Sequence, residues 1–96
     1  MPKLPEAIIS AALTALPRWT VVQGKLHRDY VFPDFIQAFA FMTAAAIGIE
    51  KQNHHPEWFN VYNKVTVDLT THDAGGITQK DIDLALAMEG LANKLA

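Results

Sequence analysis

Three of the four histidines of this chain lie in two short segments that also carry polar and acidic side chains. His54 and His55 are adjacent and are followed by Pro56, and His72 follows two threonines further along the chain. Histidine is the side chain whose unperturbed pKa lies near neutral pH, so it can donate and accept a proton under physiological conditions. The three histidines therefore indicate a candidate site for general acid–base catalysis.

The two adjacent histidines should face different surroundings. Pro56 disfavours helical geometry at His55, and successive side chains of an extended segment point to opposite sides. We expect the pair to lie between a helix and a strand and to have two different tasks. His72 should leave the apolar face of a strand near its end, from where it could reach the same cleft. The simpler interpretation is that all three are solvated loop residues without a function.

Other catalytic chemistries fit the sequence less well. Three histidines can hold a catalytic zinc ion, but there is no His-Glu-x-x-His helix, and His54 and His55 cannot easily bind one ion together. We predict no metal and no other cofactor. A nucleophilic hydrolase is disfavoured as well, because there is no Gly-x-Ser-x-Gly motif and Ser10 lies in the first predicted helix.

Length and composition favour one small domain over residues 1–96. Half of the residues are apolar or aromatic, the net charge is −2, and there is no cysteine. The lack of cysteine excludes disulfides and thiolate chemistry and fits a cytoplasmic location. No basic run is present, which argues against nucleic acid as a partner. The apolar segment 7–16 is better explained as an amphipathic first helix than as an export signal, because no clear cleavage site follows it. The apolar segment 38–49 is too short to span a bilayer, so we predict no membrane insertion.

The first third of the chain predicts a helix and a hairpin. A helix is expected over residues 5–16 and is ended by Pro17. Two β-rich runs, 19–22 and 26–32, flank the turn Gln23-Gly24-Lys25. The first helix should bury one face, made of Ile8, Ala12, Leu13 and Leu16. The second strand should bury another, made of Leu26, Arg28, Tyr30 and Phe32. Arg28 is expected either at the sheet edge or against a carboxylate, and His27 on the polar surface.

The second predicted helix is apolar on too many sides for a domain with one sheet. Pro33 and Asp34 open it, and it runs to about Gln52. Its main stripe is Phe35, Phe39, Met42, Ala46 and Ile49, widened by Ile36, Phe41 and Ala45. A helix that is apolar nearly all round must be covered on more than one side. We expect another subunit to cover the second side; the alternative is cover by helices of the same chain.

The last third predicts two strands and a helix. A short strand is expected over residues 58–61, and Val65 to Thr71 alternate clearly enough to predict the next one. Residues 73–76 form a loop. Thr78 and Asp81 have the spacing of a capping box, with Ile77 and Ile82 as a hydrophobic staple.

Three neighbours of the histidines are candidates for ligand contacts. Glu50 lies one turn before His54, at a helix end where the dipole disfavours a carboxylate, and it could accept hydrogen bonds from amide-like N–H groups of a ligand. Trp58 could stack on a flat ring, although core packing is the commoner fate of tryptophan. For Asp81, we expect a role in capping the last helix rather than in catalysis.

These segments resemble the pterin-4a-carbinolamine dehydratase family over nearly the whole chain. The matching motifs are Glu50-Lys51-x-x-His54-His55-Pro56-x-Trp58, Asn60-Val61-Tyr62-Asn63-x-Val65, and Thr70-Thr71-His72-x-x-Gly75-Gly76-x-Thr78-x-x-Asp81-Ile82-x-Leu84-Ala85. Trp19 and the segment Leu26-x-Arg28-x-Tyr30-x-Phe32-x-x-Phe35 are similar as well. Animal members have an aspartate where this chain has Asn53.

The resemblance implies a fold, an activity and a site. The fold is α+β, a four-stranded antiparallel sheet with three helices on one face in the order α-β-β-α-β-β-α, assembled as a homodimer or homotetramer. The activity is dehydration of 4a-hydroxytetrahydropterin to quinonoid dihydropterin, which recycles the tetrahydrobiopterin of aromatic amino acid hydroxylases. The catalytic residues implied are His54, His55 and His72. The predicted substrate contacts are Glu50, Asn53, Trp58, Thr71 and Asp81.

Two other functions are retained as hypotheses. Animal relatives also act as dimerisation partners of a homeodomain transcription factor, so the helix over residues 35–49 could instead be a protein-binding surface. A metallohydrolase ranks third. Among the histidines, we expect His54 and His72 to exchange protons on opposite faces of the pterin while His55 holds the ring.

Overall fold

The structure, a computed structural model, describes residues 2–95 and has the predicted order α-β-β-α-β-β-α. The helices are α1 (Glu6–Leu13), α2 (Phe35–Gln52) and α3 (Gln79–Leu95). The strands are β1 (Thr20–Val22), β2 (Lys25–Val31), β3 (Glu57–Val61) and β4 (Lys64–Leu69), and a 3₁₀ turn, His72–Ala74, joins β4 to α3. All neighbouring strands are antiparallel, in the sheet order β1-β2-β4-β3. The predicted α+β class is confirmed.

Strand β4 shows most clearly how the sheet divides core from surface. Val65, Val67 and Leu69 are completely or almost completely buried on the inner face, while the residues between them point outward. This alternation is the predicted one, but the strand ends at Leu69 instead of Thr71. Thr71 still makes an isolated bridge to Gly76, so the chain folds back on itself immediately after the sheet.

Helix α1 is shorter than predicted. It ends at Leu13, and the hydroxyl of the following Thr14 donates to the Ala11 carbonyl at 2.7 Å. Leu16 is nevertheless fully buried. The predicted apolar face was wrong at one position: Ile8 is half exposed, and its neighbour Ile9 packs on the core instead.

Helix α2 begins with a side-chain cap. The Asp34 carboxylate accepts a hydrogen bond from the Gln37 N–H at 2.8 Å, so it caps the helix from outside the first turn. The buried side of α2 is Ala38, Phe41, Ala45 and Ile49. Of the residues in the main stripe, Ile49 is buried, whereas Phe35 and Phe39 are exposed. No helix among residues 2–95 is long and apolar enough to cross a membrane.

The second apolar side of α2 is not covered by the other helices of the chain. Ile36 and Ile47 are 77% and 72% exposed, and Phe39 is 56% exposed. We call Phe35, Ile36, Phe39 and Ile47 the α2 patch. The alternative that helices of the same chain cover these residues is therefore excluded for the described structure.

A carboxylate on α3 explains why Arg28 lies on an apolar strand face. Leu26, Tyr30 and Phe32 of this face are buried as predicted, and Arg28 donates from Nε to Glu89 at 3.1 Å. The predicted pairing of Arg28 with a carboxylate is thus confirmed, and it ties β2 to α3.

The outer face of the sheet carries an ionic cluster around His27. Its Nδ1 lies 2.8 Å from Asp68 and its Nε2 lies 3.1 Å from Asp29. The hydrogen bond to Asp68 raises the pKa of His27, against the effect of burial and with a further contribution from Asp29. His27 lies on the surface, as predicted, and is bonded within the sheet.

Candidate active site

His54 faces a buried carboxylate. Its Nε2 lies 2.6 Å from Oδ1 of Asp81, and its side chain is only 13% exposed while that of Asp81 is completely buried. The other oxygen of Asp81 accepts from the Thr78 backbone N–H at 2.9 Å and from the Thr71 hydroxyl at 2.8 Å. A buried carboxylate is tolerated only when its oxygens have such partners. Complete burial does not fit the substrate contact predicted for Asp81.

The loop between β4 and α3 is built to bring these groups together. Thr71 donates its N–H to the Gly76 carbonyl at 2.9 Å, and Gly75 turns the chain with a φ of 72°. A left-handed conformation of this kind favours glycine. The hydroxyls of Thr71 and Thr78 consequently lie 2.7 Å apart, beside Asp81. The predicted capping box is confirmed, since Asp81 accepts from the Thr78 N–H at the start of α3.

The turn that follows α2 points the two adjacent histidines, His54 and His55, in different directions. Asn53 ends the helix in a left-handed conformation with a φ of 51°, and the chain then turns toward β3. His55 points to a different side from His54, as predicted, and its Nε2 lies 3.0 Å from Oε1 of Glu50. Both side chains of this second pair are largely exposed.

The two histidines border two different hollows. The first, about 430 Å³, lies between α2 and α3; His54 forms part of its rim, and Leu84, Met88 and Leu91 make its apolar walls. The second, about 760 Å³, lies beside α2 and is lined by Glu50, His55 and Trp58 among others. Three predicted site residues therefore meet in the second hollow.

His72 is the most exposed of the three histidines, at 77% of its side chain. Its Nε2 lies 3.2 Å from Oε2 of Glu57, whose other oxygen accepts from Nζ of Lys25 at 2.6 Å. The hydrogen bond from Lys25, with a smaller contribution from His72, holds the pKa of Glu57 below its usual range. Sequence analysis missed Glu57, because its partners on β2 and in the loop become neighbours only through the strand order.

Each candidate histidine thus has its own carboxylate: Asp81 for His54, Glu50 for His55 and Glu57 for His72. Such a partner orients the ring and determines which ring nitrogen carries the hydrogen in the neutral form. His72 borders neither of the two hollows described above. It is linked to His54 through the chain instead, since it follows Thr71, which bonds to Asp81. Within residues 2–95, no group of three or more histidine and acidic side chains is arranged to hold a metal ion.

Comparison with known proteins identifies a family. The family model described as pterin 4 alpha carbinolamine dehydratase matches residues 2–91. A candidate pterin-4-alpha-carbinolamine dehydratase of Solibacter usitatus is 63% identical over 94% of this chain and 95% of its own length. A candidate pterin-4-alpha-carbinolamine dehydratase of Rhodopseudomonas palustris is 53% identical over 90% of this chain and 87% of its own length.

A solved structure shares the fold. The crystal structure of a transcriptional coactivator/pterin dehydratase from Brucella melitensis has a TM-score of 0.90 and is 46% identical, covering 94% of this chain and 98% of that one. The family match over residues 2–91 includes the whole sheet and the positions of the three candidate histidines. The chain therefore belongs to the pterin 4 alpha carbinolamine dehydratase family.

Proposed function

We propose that this chain dehydrates a 4a-hydroxytetrahydropterin to the quinonoid dihydropterin and water. The observation that supports it best, in a chain of this family, is the pairing of His54 with the buried Asp81, which also accepts a hydrogen bond from Thr71, the residue before His72. A histidine held in this way is suited to moving a proton at neutral pH.

The reaction needs one acid and one base. The C4a–O bond breaks as the N5 electron pair forms a C4a=N5 double bond; the hydroxyl leaves as water after receiving a proton, and N5 loses its own proton. His54 and His72 exchange these two protons on opposite faces of the pterin. His55 holds the ring.

The residues of the second hollow supply the contacts to one part of the ring. The 4a edge of the ring must then reach past the end of α2 toward His54, which lies on the rim of the first hollow. Glu50 accepts hydrogen bonds from the amide-like N–H groups of the pterin, and Trp58, half-buried in the wall, packs against the flat ring. Asn53 is exposed at the end of α2, where its side chain can reach the ligand. In the cell this activity would serve tetrahydrobiopterin recycling in the cytoplasm, beside an aromatic amino acid hydroxylase.

The direct test uses freshly generated 4a-hydroxytetrahydropterin. The ultraviolet change to the quinonoid product is followed with and without protein, so that the spontaneous reaction provides the baseline. We expect acceleration in proportion to protein concentration. Folded protein that leaves the rate at the baseline would contradict the proposal.

Tryptophan fluorescence should locate the pterin. The chain has two tryptophans; Trp19 is 2% exposed and donates to Glu89, whereas Trp58 borders the second hollow. A non-reacting dihydropterin should quench the emission of Trp19→Phe protein, in which only Trp58 remains. It should leave the emission of Trp58→Phe protein nearly unchanged after correction for ligand absorption. Equal quenching in both variants would place the pterin elsewhere.

The α2 patch supports self-association. Its four large apolar side chains are about half exposed or more on one helix, and Phe35 and Phe39 pack together with ring centroids 5.6 Å apart. Burial of this area in a homodimer or homotetramer would remove it from water. The second candidate function, a protein-binding module, uses the same surface; the Brucella melitensis protein, described as a transcriptional coactivator/pterin dehydratase, gives it support.

Sedimentation velocity should show whether the α2 patch is buried between subunits or exposed on a monomer. We expect an oligomer in wild-type protein and a smaller species in Ile36→Glu/Phe39→Glu protein. The matched control is Leu86→Glu, a charge placed at a 45% exposed leucine of α3. A wild-type monomer would contradict self-association and favour the binding module.

A further inference from the structure

We propose that Asp81 is a positioning residue that fixes the tautomer of His54, and that Thr71 and Thr78 hold Asp81 in the orientation this requires. Nδ1 of His54 is then the atom that exchanges a proton with the pterin. This inference rests on the proposed function for its catalytic meaning, but not for its structural content.

The hydrogen-bond directions follow from the chemistry of the groups. An ionised carboxylate can only accept, so Nε2 of a neutral His54 must carry the hydrogen that points at Oδ1. The single hydroxyl hydrogen of Thr71 goes to Oδ2 for the same reason. The hydroxyl of Thr78 must therefore donate to Thr71, across 2.7 Å. A chain of hydrogen bonds therefore runs from the Thr78 hydroxyl through the Thr71 hydroxyl to Oδ2 of Asp81. His54 donates to the other oxygen of Asp81, Oδ1.

Both oxygens of Asp81 are thereby assigned. Oδ2 faces two donors, the Thr78 N–H and the Thr71 hydroxyl, and Oδ1 faces only His54. No described group bonds to Nδ1 of His54, and the side chain of His54 borders the first hollow. The start of α3 is therefore both a helix cap and the support of a candidate catalytic group.

Because two donors face Oδ2 and only His54 faces Oδ1, the substitution Asp81→Asn should change the tautomer of His54 and little else. The amide oxygen must occupy the Oδ2 position, because two donors face it there, so the amide NH₂ must face His54. Nε2 then has to accept, and the neutral ring must carry its hydrogen on Nδ1. The helix cap is retained, while the tautomer of His54 is inverted.

The test is ¹⁵N NMR of the histidine side chains at a pH where His54 is neutral. We expect wild-type protein to show a protonated Nε2 and Asp81→Asn protein a protonated Nδ1. With the turnover assay, Asp81→Asn should lose on the order of 10²-fold or more in kcat, as expected when the basic nitrogen is misdirected. A folded Asp81→Asn protein with an unchanged tautomer would overturn the proposal.

Threonine variants keep the proposal falsifiable if Asp81→Asn does not fold. Thr71→Val removes one donor from Oδ2, so the Asp81 carboxylate can turn away from His54, and the Nδ1–H fraction of His54 should rise; Thr71→Ser should restore the wild-type spectrum. The control is Thr66→Val, because Thr66 donates to Asp29 at 3.0 Å on the outer face of the sheet. A His54 spectrum that is the same in Thr71→Val and Thr66→Val protein would contradict a positioning role for Thr71.

The two readouts separate this inference from the proposed function. The tautomer is measured without substrate. An inverted tautomer in a protein that never accelerates dehydration would refute the proposed reaction and leave the positioning role intact.

Discussion

Replacing His54 or His72 by glutamine is expected to lower kcat for dehydration by roughly 10²–10⁴-fold, the usual contribution of one general acid or base. Glutamine retains much of the size of the ring and some of its hydrogen bonding but cannot exchange a proton at neutral pH. His55→Gln should instead raise KM more than it lowers kcat, because His55 holds the ring in the proposed mechanism. The measurement is steady-state turnover with the spontaneous rate subtracted.

The matched control for these variants is His27→Gln. His27 is also a histidine bonded to a carboxylate, Asp68, but it lies on the outer face of the sheet. It should leave turnover unchanged, so a general effect of removing an ion-paired histidine is separated from a catalytic one. The scheme fails if His54→Gln and His72→Gln both turn over substrate at the wild-type rate.

The exposure of the three histidines predicts different sensitivity to their surroundings. His54 is oriented by a buried carboxylate, so solvent cannot replace its partner. His72 is largely exposed and paired only with Glu57 and, through it, with Lys25. A pair of this kind contributes little to stability by itself. In the proposed mechanism, the orientation of His72 must therefore be completed by the substrate.

Local sequence rules predicted the parts of the fold that depend on a few neighbouring residues. The alternation of β4, the capping box at Thr78 and the break at Pro56 each involve fewer than ten residues, and each is present in the structure. The side of α2 that faces the sheet was not predictable in this way. Its apolar residues surround the helix, so periodicity alone could not separate Phe41, which is buried, from Phe39, which is exposed.

The candidate site was predictable by residue type but not by geometry. The sequence indicates which histidines can do proton chemistry, but the contact between Thr71 and Asp81 depends on how the loop after β4 closes. The burial of Asp81 follows from that closure, and it is the reason for proposing a supporting role for this residue in place of the predicted ligand contact. Glu57 was missed for a similar reason, since Lys25 is 32 positions away in the sequence.

Glu89 provides the largest expected effect on stability away from the candidate site. A single oxygen, Oε1, accepts from Tyr30 at 2.7 Å, from Trp19 at 2.8 Å and from Arg28 at 3.1 Å. The Arg28 guanidinium also lies 4.1 Å above the ring of Tyr30. This cluster joins the first hairpin to α3. Removal of its acceptor would leave the buried donors of Trp19 and Tyr30, and Nε of Arg28, without a protein partner.

We expect Glu89→Met to lower the free energy of unfolding by about 3 kcal/mol at neutral pH, the usual cost of leaving a charge and its hydrogen-bond partners unpaired in a half-buried site. Burial opposes ionisation of Glu89, but hydrogen bonds from Tyr30 and Trp19 and the charge of Arg28 together hold its pKa below the usual 4.5. The folded-state pKa is thus depressed, so the stabilisation is complete above the unfolded-state pKa and is lost as the pH falls through the folded value.

Urea unfolding at fixed protein concentration, at pH 7 and again in acid, should show this dependence. The difference between wild-type and Glu89→Met protein should be largest at pH 7 and should shrink below pH 4.5, the ordinary value for a glutamate. Asp83→Asn is the control, because the exposed Asp83 accepts only from Gln79 on the surface of the same helix, and it should change stability by less than about 0.5 kcal/mol. A Glu89→Met protein as stable as the control at pH 7 would show that water satisfies the three donors and that the hairpin is held to α3 by apolar packing alone.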